Sequence, residues 1–181
     1  MIDINKIIQT EVNRKAFIIE IQIDVDDKYF IDEINNSLKK NNLYYTTNVK
    51  GKMTEWDAFN NNEKFINVLT KGLEYISQFH PIAPRLTIES AWGLKIEKGD
   101  YTEKHNHSSS ELSGILYLND VSQLLVFPDL KINVKPKKGT FLIFSPWLDH
   151  FTGLNESNVT KYAIAFNFRE HKNKTWHKGY L

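Results

Sequence analysis

At 181 residues, 41% of them apolar, with a formal net charge of +1, the chain can bury a real core and shows no general attraction to nucleic acid or membrane surfaces. The absence of cysteine excludes disulfides, thiolate metal sites and a cysteine nucleophile, and it fits a reducing compartment. No stretch approaches the ~18 consecutive apolar residues of a membrane span, and the opening MIDINKIIQT lacks the apolar segment of a signal peptide, so a cytoplasmic location is expected.

Ala16 to Val25 is β-branched and partly alternating, with Phe17, Ile19, Ile21 and Ile23 on one face, which predicts a strand. Asp26-Asp27 opens a helix to about Lys40, with Phe30, Ile31, Ile34 and Leu38 at helical spacing and acidic residues in its first turn. Residues 41–60 are polar and irregular, hold Trp56 and Phe59, and are expected to form a loop. Glu63 to Phe79 predicts a second helix, because Phe65, Val68, Leu69, Leu73, Ile76 and Phe79 share one stripe. His80-Pro81 ends it, since the residue before proline avoids the α region.

From Arg85 the texture changes to short strands: about 85–97, 112–118, 124–127, 131–134, 140–144 and 161–168. Turn residues at Lys98-Gly99, Asn119-Asp120, Pro128-Asp129, Pro136 to Gly139 and Gly153 to Asn158 punctuate them. Many short strands at this spacing argue for a sandwich or barrel. The expectation is a mainly β single domain. Residues 1–84 supply a strand and supporting helices, 85–169 a jelly-roll core, and 170–181 a basic, aromatic tail with Trp176, His177 and Tyr180.

The chemistry concentrates in Gly99 to Asn119. In an extended chain residues i and i+2 point the same way, so His105 and His107 can aim both imidazoles at one point. Imidazole is the commonest protein ligand for mid-row transition metals. Read alone, the pair fits a metal site or an exposed polar loop beside Ser108-Ser109-Ser110. His150 follows a strand-like run far downstream and makes a third ligand; the three together are read as a metal site, with Fe(II) the expected ion. Lys161 begins a strand on which alternation places Lys161, Ala163, Ala165 and Asn167 on one face, opposite Tyr162, Ile164, Phe166 and Phe168. A lysine followed by small residues leaves a cavity with a cation in its floor, suited to an anion; an edge lysine in solvent is the plainer alternative. Tyr117, mid-strand and in parity with Ser113 and Ile115, offers a hydroxyl to a ligand or fills the core.

This pattern resembles the Fe(II)/2-oxoglutarate-dependent oxygenases over about residues 91–169, with a prolyl-hydroxylase-like order. The corresponding positions are Gly99 and Tyr101, His105 and His107, Tyr117-Leu118-Asn119, Phe127-Pro128, Gly139 with Phe144, His150, and Lys161. It is closer still to a poorly characterised bacterial and phage group, through Ser113-Gly114, the run Phe144 to His150, and Phe166-Asn167. The resemblance implies a double-stranded β-helix (jelly roll, cupin-like) with iron at its open end. His105, His107 and His150 would be iron ligands, and Lys161, Tyr117 and Asn167 would form the 2-oxoglutarate site. It further implies a hydroxylase that couples decarboxylation of 2-oxoglutarate to oxidation of a small-molecule or protein substrate. One departure stands out: the usual triad is two histidines and one carboxylate, and here His107 takes the carboxylate's place, unless Glu111 or Asp149 supplies an oxygen.

Two alternatives remain at this point. Gly99, His105, His107 and Glu111 also resemble the first motif of the cupins, which would put Glu111 on the metal of an enzyme or binder without 2-oxoglutarate. A non-catalytic jelly-roll binding module is the other, since fold does not fix function. Trp92, Trp147 and the 41–60 segment are candidates for a pocket wall, and no nucleic-acid motif is present.

Overall fold

A computed structural model describes residues 16–43, 46–78 and 86–170. The elements in chain order are β1 (Ile18–Gln22), α1 (Asp27–Lys40), β2 (Val49–Lys50), β3 (Lys52–Met53), α2 (Glu63–Ser77), β4 (Leu86–Ile96) and β5 (Tyr101–His105). They continue with β6 (Leu112–Tyr117), β7 (Leu125–Phe127), β8 (Ile132–Val134), β9 (Thr140–Phe144), β10 (His150–Thr152) and β11 (Lys161–Glu170). Phe79, the expected helix end at His80-Pro81 and the tail from 171 onward lie outside the described residues.

The strands form two sheets with antiparallel pairings, one in the order β1-β9-β6-β11-β4-β3 and one in the order β2-β5-β10-β7-β8. They face each other as a jelly roll, and both helices cover the outer face of the larger sheet. Each helix starts on a side-chain cap that satisfies an otherwise unpaired backbone N–H: Asp26 accepts from the Tyr29 N–H (3.2 Å) and Asn62 from the Phe65 N–H (3.0 Å). Phe30 and Ile34 of α1 and Phe65, Leu69 and Ile76 of α2 are buried, as their spacing predicts. Two glycines let the helices come this close. A Cβ at Gly93 would fall 2.5 Å from Ile34, and one at Gly72 would fall 2.9 Å from the Phe141 ring.

The larger sheet is buried on both faces, so period-two alternation separates two cores rather than core from solvent. On β9, Phe141 and Ile143 join the helix-side core, while Leu142 and Phe144 join the core between the sheets with Leu125 and Phe127. On β11, Ile164, Phe166 and Phe168 face the helices. Lys161, Ala163 and Ala165 face the other way, paired with Ile96, Leu94 and Trp92 of β4; Ala163 and Ala165 also pair with Tyr117 and Ile115 of β6.

Strands β2, β3 and β5 depart from the sequence reading. The segment expected as a loop carries β2 and β3, which pair with β5 and β4 and pass from one sheet to the other through Gly51. With β1 beside β9, the N-terminal part thus lends strands to both sheets. Strands of two residues show no periodicity, and β5 is polar (Tyr-Thr-Glu-Lys-His), which hid all three. Among the described residues no helix is long and apolar enough to cross a membrane.

Candidate metal centre

His105 ends β5 and His150 begins β10, and these two residues face each other directly across the ladder. His107 follows β5 by two residues and closes the group: one ring nitrogen from each histidine lies within 4.8 Å of the others. Ring centroids are 4.4 Å apart for His105 and His150, 4.9 Å for His105 and His107, and 5.2 Å for His107 and His150.

Backbone carbonyls set the tautomer of two of the rings. Nδ1 of His105 lies 2.8 Å from the Glu103 carbonyl, and Nδ1 of His150 lies 2.9 Å from the Leu148 carbonyl. A carbonyl only accepts, so each Nδ1 carries the proton and each Nε2 is left with a free lone pair. Phe144 and Phe127 pack against the His150 ring at 4.9 and 5.8 Å, and Trp92 lies 6.1 Å from His107. Burial pushes all three imidazoles below the ordinary histidine range, His107 to about 3 and His150 to about 4, and repulsion from neighbouring histidines adds to it for His107 and His150. They are therefore neutral at physiological pH, the state a metal requires.

The two ligand-bearing segments are fastened to each other. The His107 N–H donates to the Pro146 carbonyl at 2.7 Å. Asn106, between the first two histidines, donates to the carboxylate of Asp149, immediately before the third, at 2.8 Å. Lys104 approaches the same carboxylate at 3.4 Å. The Asn106 hydrogen bond, then Lys104, hold the Asp149 carboxyl below the usual carboxylate range. Sequence reasoning had no signal for this clamp, because the contact joins residues 43 positions apart.

The histidines line a cavity together with Trp92, Leu94, Tyr117, Lys161 and Ala165. Lys161 is 2% exposed, and no ion pair or hydrogen bond engages its ammonium among the described residues. Burial alone lowers its pKa to about 7. Tyr117 is fully buried in the same wall, and burial raises its hydroxyl well above the ordinary tyrosine value. Thr152, two residues after His150 on β10, also lines the cavity; the strand is too short for its period to have pointed to it. The indole N–H of Trp92 is buried without a partner among the described residues.

Three expected site residues fall elsewhere. Asn167 does not line the cavity: its amide oxygen accepts from the Ser113 hydroxyl at 2.7 Å and its amide nitrogen donates to Ser90 at 3.4 Å, bridging β6, β11 and β4. Glu111 is exposed and outside the histidine group. Asp149, engaged by Asn106 and Lys104, is outside it as well.

The donor set suits a divalent mid-row metal, and a buried, unpaired ammonium in the same cavity suits a carboxylate. No family model matches the sequence, and no curated protein matches it. Solved structures do match. Viral collagen prolyl hydroxylase from Paramecium bursaria Chlorella virus-1, in its 2-oxoglutarate complex, aligns with a TM-score of 0.67 at 19% identity, covering 84% of this chain and 96% of that one. A Pseudomonas putida prolyl-4-hydroxylase aligns at 0.61 and 12% identity, covering 84% and 92%. HygX from Streptomyces hygroscopicus, with nickel and 2-oxoglutarate bound, aligns at 0.63 and 11% identity, covering 86% and 83%. Two facing antiparallel sheets, helices on one outer face and a three-histidine cluster between the sheets give this chain the jelly-roll fold of the 2-oxoglutarate/Fe(II)-dependent oxygenases.

Proposed function

We propose that the chain is an Fe(II)- and 2-oxoglutarate-dependent dioxygenase that hydroxylates a substrate. The observation that carries this reading is the meeting of three neutral imidazoles and one unpaired buried ammonium in a single cavity. His105, His107 and His150 would hold the metal, two of them with tautomers already set by backbone carbonyls. Lys161 would receive the far carboxylate of 2-oxoglutarate as a point charge, and the protonated Tyr117 hydroxyl would donate to the same group. Iron, 2-oxoglutarate and O₂ together supply an oxidant able to take a hydrogen atom from a C–H bond, with the cosubstrate leaving as succinate and CO₂. The protein's part is placement and exclusion of water. The apolar walls of Trp92, Leu94, Ile115 and Phe144 keep solvent from the reacting atoms.

Asn167 serves this site from outside, tying the Lys161 strand to its neighbours. A cupin-type enzyme is less well supported, because Glu111 stands in solvent away from the histidines and such a reading gives Lys161 no task. The test is incubation with Fe(II), 2-oxoglutarate and O₂. Slow succinate release without added substrate, lost in His150→Ala, is expected. Undiminished 2-oxoglutarate with no succinate, in protein shown to bind metal, would count against the proposal.

A further inference from the structure

We propose that this cavity binds its metal and its dianionic cosubstrate as a strongly coupled pair, each weak without the other, because no carboxylate among the described residues lines the cavity to offset the cation. The inference rests on the oxygenase reading and goes beyond it. Among the described residues, those lining the cavity include three imidazoles and Lys161, but no aspartate or glutamate. Tyr117 is held protonated by burial and contributes no negative charge either. The carboxylate of Asp149 lies outside the histidine group; its charge reaches His105 and His150, but it is matched by Lys104 at 3.4 Å and its side chain is 28% exposed to screening solvent.

A divalent cation bound alone would therefore sit in a largely apolar cavity beside a buried ammonium. Its charge would be balanced neither by protein nor by bulk water, an arrangement a low-dielectric site disfavours. A dianion bound alone meets only Lys161. When both are present, the dianion lies against both positive centres and the charge is largely cancelled. Linkage then requires the effect to be mutual: whatever factor 2-oxoglutarate contributes to metal affinity, metal contributes to 2-oxoglutarate affinity. Chelation raises affinity in any such site, so the charge effect has to be isolated by changing the protein. His107→Asp places one negative charge among the ligands, and Lys161→Met removes one positive charge from the floor.

The measurement is calorimetric titration of Co(II) into the full chain under argon, with and without saturating 2-oxoglutarate, followed in parallel by the Co(II) visible spectrum. In the wild type, 2-oxoglutarate is expected to tighten Co(II) binding by about 100-fold or more, and Co(II) to tighten 2-oxoglutarate binding by the same factor. His107→Asp is expected to bind Co(II) alone more tightly and to show an enhancement smaller by about tenfold. Lys161→Met is expected to bind Co(II) alone at least as well as the wild type. The same enhancement in His107→Asp and wild type would overturn the coupling by charge. Should His107→Asp not fold, weaker binding of Co(II) alone by Lys161→Met would overturn it independently. Failure of 2-oxoglutarate to bind at all in the presence of excess Co(II) would instead overturn the oxygenase reading itself. Tight, mutually indifferent binding of both would overturn only the coupling.

Discussion

The two sheets do different work. The larger one is covered on both faces, by helices outside and by its partner sheet inside, and its strand β9 is buried at every position. The smaller one is made of strands of two to five residues, yet it carries His105 and His150 and leads into His107. Stability is concentrated where burial is two-sided, and candidate chemistry where short strands end at the rim. Lys161 is the exception that joins them: it starts β11, an interior strand of the larger sheet, and faces the histidine cavity.

Substitutions can break this division from either side. The largest effect is expected from His150→Ala, which should bring succinate release to background while leaving the thermal midpoint close to wild type, as differential scanning fluorimetry would show. On the other sheet, Phe166 packs on Phe141 at 5.5 Å and on Phe65 at 5.9 Å. Phe166→Ala should lower unfolding free energy by about 3–5 kcal/mol in urea titrations.

Lys161 tests the junction through pH. Its pKa falls from 10.5 to about 7 on folding, so between those values the unfolded chain binds more protons than the folded one. Stability of the ligand-free protein should therefore rise with pH across that window, and Lys161→Met should flatten the rise. Cosubstrate binding should run the opposite way. A carboxylate needs the ammonium form, so 2-oxoglutarate affinity should fall by about tenfold from pH 7 to pH 8.5, measured by calorimetry with metal present. A flat profile in either experiment would take Lys161 out of the cavity floor.

Smaller effects sharpen the contrast. Asn106→Ala removes the clamp between the two ligand segments and should weaken metal affinity by about tenfold, with little change in stability. Asp26→Ala removes the α1 cap and should cost about 1 kcal/mol with no change in metal affinity.

Much of this division was legible in the chain. The stripes Phe30-Ile34 and Phe65-Leu69-Ile76 marked the helices, because burial of one face leaves a helical period. Alternation from Lys161 to Phe168 separated cavity from core, because both faces of that strand are buried against different partners. The spacing of His105 and His107 raised the metal site before its third member was located. What the chain concealed has equally physical causes. Strands β2, β3 and β10 are too short to show a period. The Asn106–Asp149 bond depends on how two distant segments dock. Asn167 shares parity with Lys161 but lies three register steps along the strand, where serines on both neighbouring strands engage its amide. Parity gives the face; it does not give the depth.

The central claim is that three histidines and one lysine serve a single cavity. Anaerobic titration of the protein with Fe(II) and then 2-oxoglutarate tests it most directly, through the weak visible charge-transfer band of chelated iron. The band should appear at one equivalent of each in the wild type, and be absent in both His150→Ala and Lys161→Glu. A band of full intensity in Lys161→Glu, or none in the wild type despite bound iron, would contradict the account.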